Sequence, residues 1–286
     1  MMKKNRTIYF LLALVCLGLQ SCLFQEEDYF DDSSANRATA ELLEAAPNGW
    51  VMEYYVGKDY SLGGITLLCK FDGQRVTMAS QIAGADETVS SLYSVKSEQA
   101  TMLSFDTYNY LVHYFGQPQG SMADDPNGTL GGDYEFVISD ATADRIELKG
   151  KKYGNRIVMK AFSADQTWKQ YLTRTKKVED DAFFYEYDLR MDGLYTGQML
   201  RSNYTFIVTY YDEVGKVHQK TVPFMFTTDG MRFHEPVTID GQTMQNFVWK
   251  NEEISFVCTD EGATEVKLAG VYTAGYQSYD YYPGTY

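Results

Sequence analysis

The sequence predicts a mainly β protein: an antiparallel β-barrel or a sandwich, then a second β-rich domain, with a few short helices. Three observations predict it. Between residues 50 and 159, eight short apolar segments alternate with turn signals. Asp72-Gly73, Asp229-Gly230 and Asp240-Gly241 sit between apolar runs, and Asp-Gly suits a type I′ hairpin turn because both central residues need positive φ. Aromatic residues make up 15% of the chain, with 24 Tyr and 16 Phe, and such side chains fit a pleated, half-buried surface.

Residues 1–21 read as a lipoprotein signal peptide. Lys3, Lys4 and Arg6 precede an apolar run over 8–19, and the small residue Ser21 precedes Cys22. That run would rise about 18 Å as a helix, short of the roughly 30 Å hydrocarbon core. Leu19-Gln20-Ser21-Cys22 is similar to a bacterial lipobox, although Gln20 departs from the commoner Ala, Ser or Thr. Cys22 is therefore expected to become the lipidated mature N terminus; the alternative is an ordinary cleaved secretory signal that contains a cysteine. Two or more acyl chains hold firmly at about 0.8 kcal/mol per buried methylene.

Residues 22–32 read as an acidic tether, through Gln25-Glu26-Glu27-Asp28, Asp31 and Asp32. The segment resembles the export signal that sends Bacteroidetes lipoproteins to the outer face of the outer membrane. A flexible acidic tether is what this composition forms in any case.

Residues 33–178 read as an N-terminal barrel-like domain with a leading helix. That helix spans 33–46, with Ser33 or Ser34 as N-cap, and Pro47-Asn48-Gly49 stops it. Strands follow at 50–56, 63–71, 75–80, 88–95, 101–105, 134–139, 145–149 and 156–159. A short helix over 107–115 is expected to start at Asp106, because Tyr108, Leu111, Val112 and Phe115 fall at helical spacing. A polar loop occupies 116–132. A further helix is expected over 163–175, with Ser163 and Gln166 as a capping box and Trp168, Tyr171 and Leu172 on one face. Closing the strands into a barrel would remove exposed edges. Asn48-Gly49-Trp50 is similar to the Gly-x-Trp start of lipocalin-like barrels, but Gly-Trp pairs are common at strand starts.

Residues 179–286 read as a C-terminal β-rich domain, with strands at 194–200, 204–211, 216–226, 231–233, 243–249, 254–258 and 265–269. Asp72-Gly73-Gln74-Arg75-Val76 and Asp229-Gly230-Met231-Arg232-Phe233 share a spacing. A duplication would leave such a trace, and generic hairpin chemistry also explains it. Residues 272–286, rich in Tyr and Gly, read as an exposed tail or terminal edge strand.

The net charge is −14, and losing Lys3, Lys4 and Arg6 with the signal makes the chain more acidic. This opposes nucleic-acid binding, which needs a basic footprint, and polybasic docking on anionic membranes. With Cys16 in the signal and Cys22 lipidated, Cys69 and Cys258 remain. An oxidising compartment permits a disulfide between them, but both sit in apolar strand-like runs, which suits separately buried thiols.

No catalytic residue, metal site or cofactor is indicated. His113, His218 and His234 form no His-Glu-x-x-His pattern, and Gly-x-Ser-x-Gly is absent. His113 suits a packed, hydrogen-bonded role, and His234-Glu235 before Pro236 suits a strand end. Asp124-Asp125-Pro126-Asn127-Gly128 lacks the calcium-loop pattern and suits a plain turn. Carboxylates are abundant, but a glycosidase pair cannot be told from solvated acids.

Several blocks then carry a family resemblance: Glu27-Asp28-Tyr29-Phe30, Ala46-Pro47-Asn48-Gly49-Trp50 with Glu53-Tyr54-Tyr55, Leu92-Tyr93-Ser94-Val95-Lys96 leading to Phe105-Asp106-Thr107-Tyr108-Asn109, Gly131-Gly132-Asp133-Tyr134-Glu135-Phe136, and 148–155. Together they resemble an uncharacterised surface lipoprotein family of the Bacteroidetes, a domain of unknown function. Its genes lie beside those of starch-utilisation-type outer-membrane transporters and substrate-binding lipoproteins. The resemblance implies location and partners rather than chemistry. The first expectation is a non-catalytic lipoprotein of the outer-membrane surface, accessory to capture of a glycan or peptide by such a transporter. The second is a scaffold or adhesin-like protein pairing through its β edges, and the third is a hydrolase. The sequence names no ligand-binding residue.

Overall fold

The computed structural model describes residues 33–118, 128–212 and 214–272. Each half opens with a helix and continues as eight antiparallel strands that close on themselves. The barrel is thus the architecture found, and it is found twice.

Helix α1 (Ser33–Ala45) ends before Gly49, whose φ is +81° and where a Cβ would lie 2.4 Å from the Cys69 carbonyl oxygen. Only glycine fits that approach. The first barrel follows: β1 (Trp50–Val56), β2 (Gly63–Asp72), β3 (Arg75–Ser80), β4 (Val89–Ser97), β5 (Thr101–Phe105), β6 (Glu135–Ala141), β7 (Arg145–Gly150) and β8 (Arg156–Ala161). It closes through β1 and β8, with Trp50 opposite Ala161 and Met52 opposite Met159. Alternate residues of β1 (Trp50, Met52, Tyr54 and Val56) enter the core, as the two-residue strand period requires.

The insertion between β5 and β6 differs from expectation. Helix α2 covers only Tyr110–His113, with a 3-10 turn at Tyr114–Gly116. Its cap is Asn109, not Asp106: the fully buried Asn109 accepts from the Leu111 N–H at 3.1 Å, while Asp106 accepts from the Ser94 hydroxyl. Tyr108 is outside the apolar face and 61% exposed. Residues 124–127 of the proposed turn lie outside the described residues.

The helix expected over 163–175 is Trp168–Asp181 (α3), and its capping box is Thr167 with Gln170 rather than Ser163 with Gln166. Both pairs carry the same S/T-x-x-Q signature. The later one wins because it lets Trp168, Tyr171 and Leu172 pack on Val51, Leu68, Ala79 and Phe162 of the first barrel. The far end of α3 serves the second barrel, where Val178 and Ala182 enter the core and Glu179 accepts from the Tyr204 hydroxyl at 2.5 Å. The position between residues 178 and 179 lies inside this helix.

The second barrel comprises β9 (Glu186–Met191), β10 (Leu194–Ser202), β11 (Thr205–Tyr211), β12 (Val217–Phe226), β13 (Gly230–Ile239), β14 (Gln242–Lys250), β15 (Ser255–Cys258) and β16 (Lys267–Val271). Strand β9 was not expected, yet it closes the barrel against both β10 and β16. Strand β13 is far longer than the expected 231–233. It passes through Pro236 because the pairing shifts register between Arg232 and Val237, and an irregularity of this kind tolerates a residue with no N–H. His234-Glu235 is therefore in mid-strand, not at a strand end.

Both interiors are filled by apolar side chains; Phe206 and Phe224 stack at 4.4 Å in the second. Cys69 and Cys258 are separate buried thiols, one in each barrel. Burial pushes the Cys258 thiol up to about 11.

The barrels lie side by side through their outer faces. Strand β2 is buried along most of both faces because β12 and α3 cover its outside. Gly63, with φ +74°, makes the closest approach: a Cβ there would sit 2.0 Å from the Tyr204 carbonyl oxygen.

Candidate functional site: the seam between the barrels

Two cavities lie in this seam and a third adjoins them on the outer face of the first barrel, each sharing wall residues with the next. The first, of about 280 Å³, lies between β1, β7 and β8 of one barrel and β13 and β14 of the other. The second, of about 270 Å³, shares Glu53, Lys160 and Arg232 with it. The third, of about 570 Å³, shares Phe162 and Gln166 with the second and opens beside Trp168, Asn48 and Asp165. Clefts between domains are common ligand sites.

Glu53 forms the centre. In the run Trp50-Val51-Met52-Glu53-Tyr54-Tyr55 it alternates outward, into the seam, and is 9% exposed. One carboxylate oxygen accepts from Lys160 Nζ of β8 at 2.6 Å, and the other pairs with Arg232 of β13. Burial pushes this carboxyl up, but Arg232 and Lys160 together outweigh burial and hold it below the ordinary range.

Tyr55 lies two residues on and faces the same way. Its hydroxyl is buried beside the Arg232 guanidinium, and no group among the described residues meets it in good hydrogen-bond geometry. Its ring lies 4.3 Å from that of His234, which lies 4.0 Å from that of Tyr60. Two irregular segments bring these rings together. The bulged middle of β13 carries His234, and the Gln245 amide donates to the Phe233 carbonyl there at 3.2 Å. The turn after β1 holds Asp59 and Tyr60 at φ 55° and 61°, an uncommon conformation for a bulky residue. Burial lowers the His234 pKa and favours the neutral ring.

Arg145 and Arg156 flank the first cavity and share Glu147 as partner, at 2.9 and 2.7 Å. On the first barrel beyond the seam, the Trp168 indole N–H donates to the Asn48 carbonyl at 3.0 Å, which fixes the ring. The Gln166 side-chain oxygen is buried without a partner among the described residues.

Cys22 lies outside the described residues, as do residues 273–286 of the Tyr-rich tail. His113 is packed, stacking on Tyr134 at 4.7 Å, and His218 pairs with Asp212 at 2.8 Å. Of the three histidines, His234 alone lines these three cavities. Glu53, Tyr55 and Arg232 were not anticipated; the available signal was a single charge inside each of the apolar runs 50–56 and 231–233. Among the described residues, no group of three or more His, Cys, Asp or Glu is placed to hold a metal ion, and no helix is long and apolar enough to cross a membrane.

Residues 26–251 match the family described as Domain of unknown function (DUF4302). The chain belongs to that family, and the match spans the whole first barrel and the seam-forming strands of the second. No curated protein matches it. Among solved structures, a DNA polymerase III subunit beta DnaN sliding clamp from Bartonella birtlesii LL-WM9 is similar at 9% identity, over 83% of this chain, with a TM-score of 0.13. The chain spans 64% of that clamp's length. At that score the likeness carries no argument about fold or function.

Proposed function

We propose that the protein is a non-catalytic, lipid-anchored protein of the outer-membrane surface that captures an extended ligand, a glycan or a peptide, for an outer-membrane transporter and its substrate-binding lipoprotein. The observation that carries this reading is the row of three adjoining cavities, two in the seam and the third beside it on the first barrel. A ligand of several units would lie across them, with a cationic end at Arg145, Arg156 and Arg232 and an aromatic end at Trp168 and Phe162. Ring stacking and amide hydrogen bonds suit sugars and peptides alike. The lipobox at Cys22 and the acidic segment after it support the location, and the resemblance to Bacteroidetes lipoproteins supports the partners.

A glycan and peptide array on the lipid-free mature chain tests the reading. A saturable hit that Trp168→Ala weakens supports capture. Silence across the array from a folded chain refutes it. A specific observation favours a second reading, a scaffold that docks on a partner protein. Tyr195 and Tyr211 lie beside one another on the second barrel, and they are 53% and 51% exposed, with Val217 close by in the register. Pull-down of the transporter that Tyr211→Ser abolishes, without any array hit, supports that alternative.

A further inference from the structure

We infer that the first seam cavity is a subsite for a carboxylate group of an acidic oligosaccharide. The inference rests on the capture reading and names its ligand class. The chain as a whole carries a net charge of −14, yet Arg145, Arg156, Lys160 and Arg232 all line this one cavity, with Glu53 as the single carboxylate in its wall. Glu147 behind them serves both Arg145 and Arg156, and Glu53 serves both Lys160 and Arg232. Each anion is thus shared by two cations. A guanidinium has five N–H donors and an ammonium three, so donors remain for a guest. The excess of positive over negative groups is small, which suits a monoanion. Such a local patch attracts an anion even on an acidic protein.

The Tyr55 hydroxyl is the second observation. Its residue is 4% exposed, it lines the cavity, and although the Arg232 guanidinium lies beside it no group among the described residues meets it in good hydrogen-bond geometry. A buried polar group is normally satisfied, and an anionic oxygen in this cavity would accept its proton. Asn246 and Gln245 complete the wall with amides. The volume, about 280 Å³, is close to the lower end of small-molecule sites, about 300 Å³. It therefore holds one ring, and the remainder of the ligand continues towards Trp168. The third cavity is lined by Asn48, Thr77, Thr88, Gln166 and Gln170 beside Trp168. Many hydroxyl and amide groups around an aromatic ring suit a polyhydroxylated chain better than a peptide.

Calorimetric titration of the full chain, in detergent with its anchor, tests this. The probes are short oligomers of galacturonic, glucuronic and mannuronic acid, each beside its methyl ester. One acid is expected to bind at least about tenfold more tightly than its ester, the worth of a charged hydrogen bond, with the advantage shrinking as salt is raised. Tyr55→Phe should weaken the acid by roughly tenfold and the ester, whose carbonyl accepts a weaker hydrogen bond, by less, with little change in the thermal midpoint because the hydroxyl has no well-aligned partner in the protein. Arg156→Gln should weaken the acid similarly. Equal binding of acid and ester, or binding of neutral oligosaccharides alone, overturns the carboxylate subsite and leaves capture standing. Binding of a peptide carboxylate instead overturns the glycan assignment. No binding of any probe or array member by the folded chain overturns both.

Discussion

Replacing Arg232 by Met tests whether the seam holds the barrels together. Arg232 and Glu53 sit on different barrels, at 23% and 12% side-chain exposure. Removing one member of a fully buried pair costs about 3–5 kcal/mol, whereas an exposed pair is worth about 0–1. Here Lys160 stays on the other Glu53 oxygen at 2.6 Å and keeps the carboxylate partly compensated. The expected loss is therefore about 2–3 kcal/mol at pH 7, read as a lower midpoint in urea by circular dichroism. Glu53→Met combined with Arg232→Met should lose less than the two single changes added together, because neither charge is then stranded. The pH dependence has a definite sign. The folded-state pKa of Glu53 lies below its unfolded value. Its contribution is complete above the ordinary value of about 4.3 and is lost as pH falls through the folded-state value. The gap between wild type and Arg232→Met should narrow in acid. A gap under about 0.5 kcal/mol at pH 7, or one that widens in acid, refutes the assignment.

Gly63→Ala forces a Cβ into the Tyr204 carbonyl at a positive φ; a loss of roughly 2–3 kcal/mol, with one urea transition separating into two, is the expected outcome. Thr167→Ala should cost about 1 kcal/mol by removing the α3 cap, while Ser163→Ala stays within about 0.5; equal losses would restore the earlier helix start. Cys69 and Cys258 should resist a thiol reagent in the native chain and both react once urea unfolds it, with mass spectrometry showing no disulfide between them.

The strands of the first barrel were legible because each is short, apolar and bounded by a turn signal. The second barrel was less so. Strand β9 reads Glu186-Tyr187-Asp188-Leu189-Arg190-Met191, an alternating pattern whose charges hid the buried Tyr187, Leu189 and Met191. Strand β13 was cut short because Pro236 argues against a strand unless a bulge accommodates it, and a bulge is set by the partner strand rather than by the chain itself. The α3 start was ambiguous locally, since two identical capping signatures stand four residues apart and tertiary packing chooses between them. Trp168 was placed on the right face for the same reason that its role was missed: helical spacing says which side chains share a surface, not what that surface meets. The seam left one trace. Leu67-Leu68-Cys69 in β2 is apolar without alternation, the mark of a strand covered on both faces.

The repeated architecture explains why the seam is where a site belongs. Each half is a helix followed by a closed eight-stranded barrel, and closure leaves no edge that needs a partner. The shared Asp-Gly pentapeptides do not mark this repetition. One lies in the second-to-third hairpin of its barrel and the other in the fourth-to-fifth of its own, so ordinary turn chemistry accounts for them. Since neither barrel needs the other to complete its sheet, contact between them is free to be selected for what it holds. An interface serving adhesion alone would gain from apolar residues on both outer faces. Leu68, Met225 and Leu172 meet that description near α3. Further along, the same faces instead carry Glu53, Lys160, Arg232, Arg156 and a buried tyrosine hydroxyl with no well-aligned hydrogen-bond partner. Charged groups at such an interface are costly unless paired or used, and here two carboxylates serve four cations. The surplus cations and the open space between them are what the proposed subsite would offer a guest that brings its own negative charge.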